Sequence, residues 1–199
     1  MGLPFQINPG GSGLATAGAI NSYAILQQHM TAFELKKMRD NIGDRLIDMA
    51  RIKGIGSSPG EVTVRDVSPR RDLLVALFPN EDWVSAAATV ANAQYLFVNT
   101  VLVNNKALCI YGFWSRDAII NIVRVRCQGA GGGTTFLDVD VSGVYSSLEQ
   151  VCYFSTPIFY NPTSTVRVEL YSRIAAVSVS GLLAMVVEPQ GEYLSRTTA

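Results

Sequence analysis

Charge is scarce in this chain. Only 16% of its 199 residues are Asp, Glu, Lys or Arg, against roughly 25% in ordinary globular proteins. Acids and bases balance, so the formal net charge is zero. A neutral, sparsely charged chain lacks the basic footprint of a nucleic-acid binder. It also lacks the self-repulsion that keeps monomers apart. Histidine is nearly absent: His29 stands alone among Gln27, Gln28 and Met30, with no cysteine or carboxylate cluster beside it. That excludes a histidine-based metal site or catalytic triad. The three cysteines, Cys109, Cys127 and Cys152, are an odd number without CxxC spacing, so reduced, buried thiols are expected. The longest apolar run, residues 182–187, is far too short to span a bilayer. The opening MGLPFQINPGG has no basic segment leading into an apolar one, and Gln6 replaces the Ser or Thr of a myristoylation motif. Neither export nor lipidation is expected, and synthesis in a cytoplasm is.

Familiar chemical motifs are missing too. The glycines of residues 129–133 follow a strand pattern but precede another strand, whereas a phosphate loop needs a helix N-terminus there. Gly10-Gly11-Ser12-Gly13 lacks the strand-turn-helix setting of a nucleophile elbow. Asp138 and Asp140 point the same way from one strand, a pairing that solvated strand faces carry routinely. Arg65, Arg70 and Arg71 form the one basic cluster, offset by Asp66 and Asp72. They suit surface or intersubunit ion pairs. No enzyme activity, cofactor, metal or small-molecule substrate is expected, nor any membrane or nucleic-acid partner.

What is present is β-structure. From Gln94 the hydrophobic period becomes two, with strands expected near 94–104, 107–114, 118–127, 134–141, 145–154, 157–160, 164–173 and 175–187. The separators are turn-formers such as Asn104-Asn105 and Asn161-Pro162. Short strands at this spacing imply an antiparallel β-sandwich of jelly-roll type. Val123, Val125 and Cys127 alternate with arginines, Leu137, Val139 and Val141 with aspartates, and Val166, Val168 and Leu170 with Arg167 and Glu169. Those apolar sets are expected inside. The first and last strands are apolar on both faces: Leu182, Ala184 and Val186 oppose Leu183, Met185 and Val187. Such strands need cover on both sides.

Three segments follow: an extended arm over 1–20, a mainly helical segment over 21–92 and the sandwich over 93–199. In the arm Leu3, Phe5 and Ile7 alternate with Pro4, Gln6 and Asn8 before a glycine-rich stretch, as in a stiffened arm that docks on a neighbour. Thr31 and Glu34 form a capping box ahead of Leu35, Met38, Ile42, Leu46 and Met49, and Gly54 and Gly56 close the helix. EVTVRDV (61–67) reads as a short strand; Ser68-Pro69 and Asn80-Glu81-Asp82 read as further helix starts.

The succession of an LPFQINPGG arm, a helical segment and a jelly-roll-like block over 94–187 resembles the small head proteins of tailed bacteriophages, the decoration or cement proteins of the capsid lattice. The resemblance implies a virion protein without catalytic role, bound over contacts between major capsid subunits or other virion subunits as a homo-oligomer, trimer or dimer. Leu3, Phe5 and Ile7 of the arm and Leu182, Ala184 and Val186 of the last strand are the expected partner-binding residues. A capsid-forming single jelly roll and a trimeric fibre-tip protein with the helix as stalk are the alternatives. A sandwich enzyme would need a convergent polar site that the sequence lacks.

Overall fold

The computed structural model describes residues 6–8, 19–23, 25–27, 31–56, 61–73, 90–129, 136–146, 150–176 and 178–190. The elements run β1 (Gln6–Asn8), β2 (Ala19–Tyr23), β3 (Ile25–Gln27), α1 (Ala32–Lys53), β4 (Val62–Asp66), α2 (Pro69–Leu73), β5 (Ala93–Val101), β6 (Ala107–Ser115), β7 (Ile122–Gln128), β8 (Phe136–Asp140), β9 (Val151–Tyr160), β10 (Thr165–Ser172) and β11 (Ser180–Pro189). One sheet has the order β1-β3-β9-β6-β11-β4, the other β2-β8-β7-β10-β5.

The pairing reveals the wiring. β4 pairs antiparallel with β11, β5 with β10, β6 with β9 and β7 with β8. The chain from β4 onward is therefore one long hairpin, with its tip between β7 and β8. Rolled up, it sends alternate strand pairs to opposite sheets. That is a jelly roll of two four-stranded sheets. Two strands ahead of the roll then extend the sheets, β3 antiparallel to β9 and β2 parallel to β8.

The eighth strand is β4, so the sandwich starts at Val62 and takes in part of the segment read as mainly helical. That segment also supplies β3 and most of β2. The strands expected at 145–154 and 157–160 are one strand, β9, entered from a 3-10 turn at Ser142–Ser146. Pro157 is accommodated because the β6–β9 ladder shifts register between Ile110 and Gly112, and a central proline is tolerated where the ladder is interrupted.

Two cores result. Between the sheets lie Phe97, Leu108, Phe113, Val125, Val139, Val168 and Val186, among others. Outside the first sheet, α1 lays Ile42, Leu46 and Ala50 over Ala107, Cys109, Tyr111, Met185 and Val187. The helix begins at the expected capping box, Glu34 N–H donating to Thr31 Oγ1 at 3.2 Å. It ends with Gly54 in the left-handed region at φ 68°. Arg39 ties it to β4 through Asp66 at 2.8 Å.

At the centre of the first sheet Gly112 leaves no room for a side chain. A Cβ there would stand 2.7 Å from the Cys152 carbonyl oxygen and 2.9 Å from Leu183 Cδ1. Because a backbone atom is one of the obstacles, Gly112→Ala should destabilise the protein by about 1–3 kcal/mol. Urea unfolding checks this, and an unchanged midpoint contradicts it.

Candidate assembly surfaces

Leu182, Ala184 and Val186, expected to meet a partner, are buried in the sandwich core. β11 lies between β6 and β4, and α1 covers its opposite face over Met185 and Val187. Both faces of this strand are thus covered by its own chain, which corrects the expectation. Leu3 and Phe5 lie outside the described residues. Ile7 falls in β1, whose backbone pairs with β3 of the same chain, Ile7 opposite Leu26. His29 and nearly all of the glycine loop at 129–133 also lie outside the described residues.

The outer face of the second sheet carries a charge-balanced ladder. Arg126 stands opposite Asp138, and Arg124 opposite Asp140. Arg126 Nε lies 3.5 Å from Asp138 Oδ1, and its guanidinium sits 4.4 Å from the Phe136 ring centre. Arg124 lies over Tyr171 at 5.0 Å, and Arg167 pairs with Glu169 at 2.6 Å. Asp140 accepts from the Ser142 N–H and hydroxyl at 2.8 and 2.6 Å. The two aspartates therefore have partners on their own sheet and do not converge on a ligand.

Arg65 is the second correction. It does not join Arg70 and Arg71 at the surface. β4 turns Val62 and Val64 toward α1, which aims Arg65 into the open side of the sandwich between β4 and β5. There it donates to Asp72 at 2.7 Å and to Glu188 at 2.8 Å. Lys106 completes a quartet, 2.7 Å from Asp72 and 3.1 Å from Glu188. The side chains of Asp72 and Glu188 are 0% exposed and that of Lys106 2%. Burial pushes the Asp72 carboxyl up, but hydrogen bonds from Arg65 and Lys106 more than offset this and hold it below its ordinary value. Burial alone would lower the Arg65 guanidinium; its bonds to Asp72 and Glu188 raise it instead. Two cations and two anions cancel, so the quartet is a closed structural unit. It fixes α2 across the mouth of the sandwich and seats Leu73 in the core.

The cysteines are buried and free. Burial pushes the Cys127 and Cys152 thiols up to about 12 and Cys109 higher still, so none is a nucleophilic thiolate at neutral pH. Among the described residues, no group of three or more His, Cys, Asp or Glu is placed to share a metal ion. An open groove of about 430 Å³ runs between α1 and β9, floored by Met38, Ile42 and Phe159 and rimmed by Glu34, Lys37 and Arg45.

Large apolar side chains stand exposed at both ends of the sandwich. Since β6 runs the length of the sheet between them, the turns 102–106 and 116–121 lie at opposite ends. Val101 ends β5 at the first and Val103 sits on it, 59% and 44% exposed; Ile119 and Ile120 sit on the second, 60% and 41% exposed. Both turns are held. Leu102 N–H donates to the Ser164 carbonyl at 3.0 Å, and Thr163 N–H to the Leu102 carbonyl at 3.2 Å. At the other end Asp117 accepts from the Val179 N–H at 2.6 Å and the Ser178 hydroxyl at 2.7 Å. The apolar residues are thus presented on turns whose backbone is already ordered, which lowers the entropy lost on association. Sequence reading missed Ile119 and Ile120, having assigned them to a strand beginning at 118.

No protein-family model, curated protein or solved structure matches this chain.

Proposed function

We propose that this is a virion structural protein that binds and stabilises a capsid lattice as a decoration or cement subunit, made in the host cytoplasm and working by assembly rather than catalysis. The observation that carries the reading is the pair of hydrogen-bonded turns presenting Val101, Val103, Ile119 and Ile120 at opposite ends of the sandwich. A subunit with ordered apolar contacts at both ends can bridge two neighbours, and repetition over a lattice multiplies weak contacts into tight binding. Jelly rolls recur in viral capsids as well as in lectins and cupins, so the fold supports the reading by analogy only.

A second reading is that the chain forms the shell itself. The complete eight-strand roll within one chain favours it, because end-to-end contacts between identical, self-sufficient units propagate into arrays. One experiment separates the two. The purified chain is imaged by negative-stain electron microscopy alone, and then co-sedimented with capsid shells. Saturable binding by a chain that stays small alone supports the decoration role. Closed shells from the chain alone support the second reading. A chain that neither binds nor assembles overturns both.

A further inference from the structure

We propose that β5 is a dimerisation edge, pairing antiparallel with β5 of a second copy across a two-fold axis at Thr100. β5 ends the second sheet, with β10 as its one neighbour among the described residues. Sheet edges left open are normally guarded by charge, proline or shortness. The other ends follow that rule: β1 and β2 are three and five residues long, and β4 carries Arg65 and Asp66 and packs against α1. β5 has nine residues and none of these guards. It lies within a stretch, from Trp83 to Asn105, that contains no Asp, Glu, Lys, Arg or His. In a two-fold contact the residue on the axis faces itself and like residues stand close on either side of it, so an uncharged strand is complementary to itself whereas a charged one repels itself.

The backbone geometry specifies the register. Leu102 directs its N–H and its carbonyl toward the turn that precedes β10. Alternation along an antiparallel strand then aims the peptide groups of Val101 and Asn99 away from β10. With the axis at Thr100, Asn99 meets Val101 of the second copy and Val101 meets its Asn99, so outward donors face outward acceptors. The register between β10 and β5 shifts at Val168/Glu169, and Phe97 and Val98 are both turned inward there. Pairing is therefore confined to the second half of β5. On the outer face the same contact shields Val101, and on the flank Val103, both exposed in the single chain. The two five-stranded sheets join into one. This inference does not rest on the virion reading, since a dimer forms whether or not a shell is bound.

The test uses the full chain and two substitutions at Val101. Val101→Pro removes the outward N–H without touching the ladder to β10, and Val101→Lys sets two like charges beside the axis. Particle mass is measured by light scattering over a concentration series, with thermal unfolding followed by circular dichroism. The expected result is a wild-type particle of at least twice the 21.5 kDa chain mass, falling to half or less in either variant with the melting temperature retained. If Val101→Pro fails to fold, Val101→Lys decides alone. A wild type that stays at 21.5 kDa throughout, as when another segment or another protein occupies this edge, overturns the proposal. So does a folded Val101→Lys variant that keeps the wild-type mass.

Discussion

Replacing Lys106 with methionine is expected to cost the fold about 3–5 kcal/mol, the usual penalty for breaking a buried ion pair from one side. The substitution keeps most of the side-chain volume, so cavity formation contributes little. What it removes is the cation between Asp72 and Glu188, whose side chains are 0% exposed. Arg65 would then face two buried carboxylates alone. The informative control replaces all four members with Met or Leu: when every charge leaves together the loss should be small, because desolvation and attraction vanish at once. Urea unfolding of the two variants decides it. If Lys106→Met loses less than about 1 kcal/mol, as at an ordinary surface site, the quartet is not the closed unit described. Acid titration gives a second handle. The folded Asp72 carboxyl lies below its ordinary value, so its contribution is complete above the unfolded value of about 4 and fades as pH falls through the folded one. Wild-type stability should therefore drop on acidification below about pH 4, and Asp72→Asn should flatten that part of the profile.

The second large effect is expected at Leu46. Its side chain is fully buried between α1 and the outer face of the first sheet, and truncation to alanine should cost about 2–5 kcal/mol. In a protein of this length that corresponds to a fall in melting temperature of roughly 4–20 °C, at about 2–4 °C per kcal/mol. The loss should appear as one cooperative transition shared by helix and strands, because α1 covers Met185 and Val187 of a central strand. A helix that melts separately, leaving the sheet signal at its wild-type temperature, would mean that α1 is an appendage. That outcome would favour the stalk of the fibre-tip alternative.

These two sites also show how far the sequence could be read. Alternation placed Val125, Cys127, Val139, Val166, Val168 and Leu170 in the core correctly, because a strand with charge on one side has only one face to bury. Val123 is half-buried instead, since the β7–β10 ladder shifts register between Tyr171 and Ser172 and brings in Ile122. A one-residue irregularity of this sort leaves no mark on an alternation pattern. The helix was legible from its cap to its final glycine. Where a strand is apolar on both faces, pattern cannot say who supplies the cover. Leu182, Ala184 and Val186 were assigned to a partner for that reason, and α1 turned out to cover the opposite face of the strand. β4 deceived in the complementary way. Its valines and its arginine alternate, and the ordinary reading buries the valines and wets the arginine. With a helix outside the sheet, both sides are covered, and Arg65 faces inward to a quartet completed by Lys106 and Glu188, which lie far away in sequence. Ile119 and Ile120 were hidden by boundary placement, a strand start at 118 instead of 122.

The rolled hairpin has a consequence for how the protein comes into being. Its outermost pair joins Val62 to Pro189, so the first strand of the sandwich to leave the ribosome is completed by the last. At about 5–20 residues per second, β4 waits roughly 6–25 s for β11. During that interval neither the space beneath α1 nor the inner face of β6 can close, and Arg65 has yet to meet Glu188. The terminal pair cannot form before residue 189 has been made, and with so many distant contacts folding is slow. Nascent chains therefore carry unfinished sheet edges in a crowded polysome, and the hazard is greatest for the uncharged β5.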